Sequence, residues 1–188
     1  MDIMMKDKLT LKAKSEGYEA RSVYKLVEIN RKYKLIRRED NVLDLGCWPG
    51  SWLQACLEIG AKPLGIDLKE TKILGAETFI ANAEDDKIFS LLKNKKFDVV
   101  LSDLAPRTTG HVEQDQYKSY MLSCRAFEIA RKVLKLRGNF LVKIFQGEDS
   151  DELLKELRKH FEFVKTVKPD ASKKRSKEVY YLALGYKG

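Results

Sequence analysis

Along this chain, short continuous apolar runs alternate with longer stretches of helical spacing. The runs fall at 41–45, 63–67, 77–80, 97–102, 139–145, 161–167 and 178–186, lengths that suit strands. Between them, 51–59, 85–93, 116–135 and 150–159 carry apolar residues three and four apart, as helices with one buried face do. A further helix is predicted from Ser22, placed as its N-cap, to about Tyr33, with Val23, Leu26, Val27 and Ile29 on its inner side. Gly138, just past Lys135 and Arg137, reads as the stop signal of the long fourth helical stretch. Residues 1–20 are polar and basic and read as a loosely structured N-terminal segment. Strand–helix alternation with short connections predicts a doubly wound α/β fold, a mostly parallel seven-stranded sheet covered on both faces. No linker or repeat divides the chain, so 1–188 is expected to form a single domain.

Composition narrows the class. A chain of 188 residues, 44% hydrophobic and 34% charged, can bury the core of one soluble domain. No apolar run approaches the roughly 18 residues that span a bilayer, and the N-terminus lacks a signal-peptide core. Three cysteines without a C-x-x-C, and two histidines, argue against a metal site or a disulfide framework. A reduced, cytoplasmic protein, acting as a monomer and away from membranes, is the expectation. The net charge of +8 is uneven: residues 1–38 hold eleven Lys/Arg against five Asp/Glu, and residues 165–177 hold six against one. Two basic ends around a slightly acidic middle suggest a polyanion-binding face, provided the fold brings them to one side. Apart, they are ordinary solvated surface.

The densest chemistry lies in residues 41–52, Asn-Val-Leu-Asp-Leu-Gly-Cys-Trp-Pro-Gly-Ser-Trp. A strand turns at Gly46 and Gly50 into a helix, which makes a nucleotide-binding corner with free N–H groups at the helix start. The spacing is neither G-x-G-x-x-G nor a P-loop, and no phosphate-binding lysine follows. An adenosine ligand without phosphates fits, with S-adenosylmethionine the common one; a plain βα turn is the alternative.

Ligands of open α/β sheets bind beyond the carboxyl ends of the strands, so the residues at those ends are the candidates. The first strand supplies Asp44, Gly46 and Gly50. The second ends in Asp67, 21 residues after Gly46, near the ~20-residue distance at which an acid grips ribose hydroxyls. The fourth ends in Asp103; Asp67 or Asp103 could instead be a simple helix cap. Lys143 stands between Val142 and Ile144 in a strand apolar on both faces, where an unpaired ammonium is costly. It either snorkels to water or is held desolvated for proton transfer. Lys25 and Glu178 alone look like surface charges.

Taken together, these residues resemble a known family. The order Lys25, Asp103, Lys143, Glu178 is similar to that of the FtsJ/RrmJ family of ribose 2′-O-methyltransferases. So are Ala-Arg-Ser-Val-Tyr-Lys-Leu around Lys25, Asp-Leu-Gly-x-x-Pro-Gly-Ser-Trp, Ser-Asp-Leu-Ala-Pro, Val-Lys-Ile-Phe-Gln-Gly, Lys-Pro-x-Ala-Ser and Ser-Lys-Glu-Val-Tyr. These motifs span residues 20 to 186 in the family's order. The resemblance implies a Rossmann-like class I S-adenosylmethionine-dependent methyltransferase acting on RNA, on a uridine of 23S-type large-subunit ribosomal RNA, within the large ribosomal subunit. It implies a catalytic tetrad of Lys25, Asp103, Lys143 and Glu178, with Lys143 the proton acceptor. It assigns the cofactor to Asp44, Gly46, Gly50, Trp52, Asp67, Ala83 and Asp103.

Two positions depart from the family pattern. The acid that binds the adenine amino group is replaced by Ala83, so that contact falls to its backbone or to Asn82 or Glu84. Trp48 stands where relatives mostly carry a small residue. A tRNA ribose methyltransferase and a non-catalytic RNA-binding protein with a vestigial pocket are the alternatives. A dehydrogenase is disfavoured by the missing G-x-G-x-x-G.

Overall fold

The computed structural model describes residues 8–172 and 176–188. Its strands are β1 (Asn41–Leu45), β2 (Lys62–Asp67), β3 (Glu77–Ile80), β4 (Phe97–Ser102), β5 (Leu134–Phe145), β6 (Phe161–Val167) and β7 (Glu178–Tyr186). Its helices are α1 (Lys8–Ser15), α2 (Val23–Tyr33), α3 (Ser51–Ile59), α4 (Lys87–Leu91), α5 (Val112–Val133) and α6 (Ser150–His160). All seven strands form one sheet in the order β3-β2-β1-β4-β5-β7-β6. The neighbours from β3 to β5 pair in parallel, and β7 runs antiparallel to both β5 and β6.

Alternation along the strands divides the core in two. Leu43, Leu45, Val100, Phe140 and Val142 pack under α4, α5 and α6, whose buried residues include Ile88, Ile129 and Leu157. On the other face Val42, Val99, Leu101 and Leu141 meet Val23, Leu26 and Ile29 of α2 and Trp52, Ala55 and Cys56 of α3. The chain switches direction at β1, with β2 on one side and β4 on the other. That switch point opens the crevice in which ligands of such sheets sit.

Several local expectations are corrected. Within the segment read as loose, Lys8–Ser15 form α1, anchored by the buried Ala13; residues 1–7 lie outside the described residues. Ser22 precedes α2 but makes no capping bond, because its hydroxyl is bonded to that of Ser51, 2.9 Å away. Val27, expected inside, is 41% exposed. The long helix spans 112–133, and the strand after it begins at Leu134. Gly138 therefore stops no helix. It sits in a bulge where the β4–β5 register slips between Phe97/Leu134 and Val99/Asn139. A Cβ there would meet the carbonyl oxygens of Lys135 and Asp98 at 2.9 and 3.0 Å, a close approach that glycine permits. Among the described residues, no helix is long and apolar enough to cross a membrane.

Candidate functional site

The parallel strands deliver their ends to one edge of the sheet. Asp44, Asp67 and Asp103 arrive from β1, β2 and the residue after β4, and Lys143 from β5. Because β7 is antiparallel, Glu178 at its start reaches the same edge, and Lys25 in the first turn of α2 comes down beside it. The four residues expected to form a tetrad are thus brought together as two ion pairs. Lys143 Nζ lies 3.1 Å from Asp103 Oδ1 and donates to the Asp103 carbonyl at 2.7 Å. Lys25 Nζ pairs with Glu178 Oε1. Lys143 is only 6% exposed, so its head group is held inside by these partners and does not snorkel to water.

Tyr180, which sequence reasoning missed, joins the two pairs. Its register partner across the β5–β7 ladder is Lys143. The hydroxyl donates to Asp103 Oδ1 at 2.9 Å and accepts from Lys25 Nζ at 3.4 Å. Burial, then the Asp103 and Glu178 carboxylates, push its phenol well above the ordinary range, so it stays a donor. The period of two from Glu178 places Tyr180 on the same strand face, and that was the signal available in the sequence.

The expected cofactor residues divide into surface and support. Gly46 and Gly50 have φ of +83° and +118°. A Cβ on Gly46 would meet Leu104 N at 3.0 Å, so the turn lies close against the segment after β4. Asp67 accepts from Trp48 N (3.0 Å) and Lys69 N (2.9 Å), and so braces the turn as well as facing the crevice. Asp44 is fully buried, and among the described residues neither of its carboxyl oxygens has a hydrogen-bond partner. Burial, then Asp103 and Asp67, push its carboxyl well above the usual carboxylate range. Trp52 is not an open contact: its indole is 3% exposed, donates to Ser22 O at 2.9 Å and packs 5.9 Å from the Tyr180 ring. Ala83 is likewise buried, and its carbonyl accepts from Arg125 Nε at 2.8 Å. Arg125, also unforeseen, pairs with Asp86 at 2.9 Å and lies 4.9 Å over the Phe89 ring, tying α5 to the 83–89 segment. Trp48 is half exposed, with Lys69 Nζ 3.8 Å from its ring centre.

The basic ends meet beside the tetrad. Asp170 N donates to Glu28 of α2 at 2.9 Å, and Arg21 donates to the Ala171 carbonyl. Lys173, Lys174 and Arg175, singled out for their charge, lie outside the described residues.

The FtsJ-like methyltransferase family pattern matches residues 18–186. Ribosomal RNA large subunit methyltransferase E of Archaeoglobus fulgidus is 43% identical over 176 residues, 91% of each chain. Its namesake from Nitratidesulfovibrio vulgaris is 44% identical over 192 residues, covering 97% of this chain and 94% of that protein. Among solved structures, a Plasmodium falciparum protein described as a candidate ribosomal RNA methyltransferase superimposes with a TM-score of 0.81 at 28% identity. The match covers 91% of this chain and all of that one.

Proposed function

This chain belongs to the FtsJ-like methyltransferase family, and from that premise we propose that it methylates the ribose 2′-oxygen of RNA, at a uridine of large-subunit ribosomal RNA, using S-adenosylmethionine. The observation that carries the reading is the pair of ion pairs Lys143–Asp103 and Lys25–Glu178, linked through Tyr180 at the ligand edge of the sheet. The relatives' names supply the ribosomal substrate.

The residues fit the cofactor. Its net cationic form suits Asp44, Asp67 and Asp103, which lie beside the Gly46–Gly50 turn. When bound, it supplies a methyl group already activated on a sulfonium, so a bond from carbon to sulfur breaks as one to the ribose oxygen forms. What remains for the protein is alignment and the 2′-hydroxyl proton. In this reading Lys143 accepts that proton, and Asp103 holds its side chain through two contacts. Lys25 and Glu178 form the second ion pair of the set, joined to the first through Tyr180.

The test is incubation with labelled S-adenosylmethionine and ribosomal RNA. Label is expected at a ribose oxygen, and Lys143→Ala is expected to abolish it while both ligands still bind. Lys143→Arg should be nearly as inactive, because a guanidinium does not give up its proton in this range. Activity in the arginine variant would reduce Lys143 to an electrostatic positioner. Near-normal turnover in the alanine variant would remove it from the mechanism. Asp67→Ala should weaken cofactor binding by roughly 1.5–3 kcal/mol, read by calorimetry.

A further inference from the structure

At the opposite end of α2 from Lys25 lies a second feature that the methyl-transfer site does not use. Tyr33, Lys34, Arg37, Arg137, Asn139, Glu162, Leu184 and Gly185 line a concavity of about 290 Å³. Three cations share it with one acid. Among the described residues, none of Lys34, Arg37 and Arg137 forms an ion pair, whereas nearby Arg38 and Lys62 both turn to Glu39. The adjoining β6 edge presents Phe163, 45% exposed, and Lys165, whose amine lies 5.8 Å from the Tyr33 ring centre. Phe163 and Lys165 pair with Leu184 and Leu182 of β7, on the sheet face that carries Tyr180.

Backbone conformation sets this cluster apart from ordinary surface charge. Lys34 and Arg137 have φ of +54° and +64°, two of the four non-glycine residues with positive φ among the described residues. Lys34 is the left-handed C-cap of α2, and Arg137 sits at the β5 bulge. Glycine is the residue that such positions favour. Cations occupy both positions, and both line the same concavity.

We propose that this concavity is an anchor for the phosphodiester backbone of the substrate RNA, remote from the methylated ribose. Cations without ion pairs beside the exposed Phe163 ring and the half-buried Tyr33 ring match a nucleic-acid strand, with charges for phosphates and rings for stacked bases. Lys25 and Lys34 are nine residues apart, about 14 Å along α2 by helical rise. The anchor is therefore reached by an RNA that extends past the target nucleotide. It rests on the RNA-methylating function proposed above and names how that RNA is held.

The test compares wild type with Lys34→Gly/Arg137→Gly, and with Lys34→Gln/Arg137→Gln. All three are assayed for melting temperature, cofactor affinity and binding and methylation of ribosomal RNA across a salt series. The glycine variant should melt at or above the wild-type temperature, since it relieves both backbones. Both variants should bind RNA about tenfold more weakly, with the salt slope reduced by about 2, one for each phosphate that the substituted side chains no longer neutralise. The weakening should fall on KM for RNA, and cofactor affinity should be unchanged. Wild-type RNA affinity and slope in the glutamine variant would overturn the anchor, whatever the glycine variant does. A wild type that methylates RNA while both variants track it overturns the anchor alone. A wild type that neither binds nor methylates RNA overturns the proposed function and the anchor with it.

Discussion

Lys143 can remain inside because Asp103 meets it twice, and Tyr180 shares Asp103 with it. Tyr180→Phe keeps the ring against Trp52 and removes only the hydroxyl bridge. It should lower kcat by about 10- to 100-fold, the equivalent of one hydrogen bond to a charged group, with melting temperature and cofactor affinity near wild type. An unchanged kcat would show that the two ion pairs act without it. Asp44 makes a different prediction. Its folded-state carboxyl titrates above its unfolded value, so across that interval the native state binds the extra proton and stability falls as pH rises. Asp44→Asn removes the group, and its melting temperature should lose this slope, gaining on wild type as pH increases from the acid side. Parallel pH profiles for the two proteins would mean that folding leaves the Asp44 carboxyl unshifted. Of these residues, Asp44, Asp103 and Lys143 were legible in the sequence from strand-end position or an apolar surround. Tyr180 and Arg125 were not, because an aromatic in a strand and an arginine on a helix have ordinary explanations until their partners are known.

The elements show how local rules place the site. The β1–α3 turn works because Gly46 takes a positive φ and leaves no Cβ between itself and Leu104. Gly46→Ala should cost about 1–2 kcal/mol of stability, lowering the melting temperature by roughly 2–4 °C per kcal/mol. Cofactor affinity should fall with it, and an alanine variant with both properties intact would show that the turn has room to spare. Apolar spacing predicted this turn and its flanking strand and helix correctly. It misplaced the end of the long helix, because Gly138 meets the description of a helix stop and of a bulge equally well. The decision belonged to the carbonyls of Lys135, within the bulged strand, and of Asp98 on the neighbouring strand. The helical order of Lys8–Ser15 was hidden for a similar reason. A polar segment with one buried alanine shows little periodicity of its own.

For the whole molecule, charge is the variable that the fold rearranges. The docking of Asp170 and Ala171 on α2 and Arg21 makes two distant basic segments adjacent. RNA affinity should therefore fall linearly with the logarithm of salt concentration, with a slope of about 0.7–0.9 per phosphate neutralised. Replacing Lys173, Lys174 and Arg175 by alanine should flatten that dependence and leave cofactor binding alone. An unchanged slope would mean that these three cations take no part in RNA binding.

The sequence by itself determined the succession of strands and helices, the glycine turn and the acids at strand ends, because these depend on sterics and periodicity within a few residues. It also determined the family, through motifs whose order along the chain needs no coordinates. Only the tertiary structure decided which charges meet. Lys25 and Glu178 are 153 positions apart, and they pair because β7 inserts antiparallel between β5 and β6, which turns its first residue towards the carboxyl ends of the other strands. The isolation of Asp44 was decided there too, since desolvation is a property of everything packed around a group and of no residue alone.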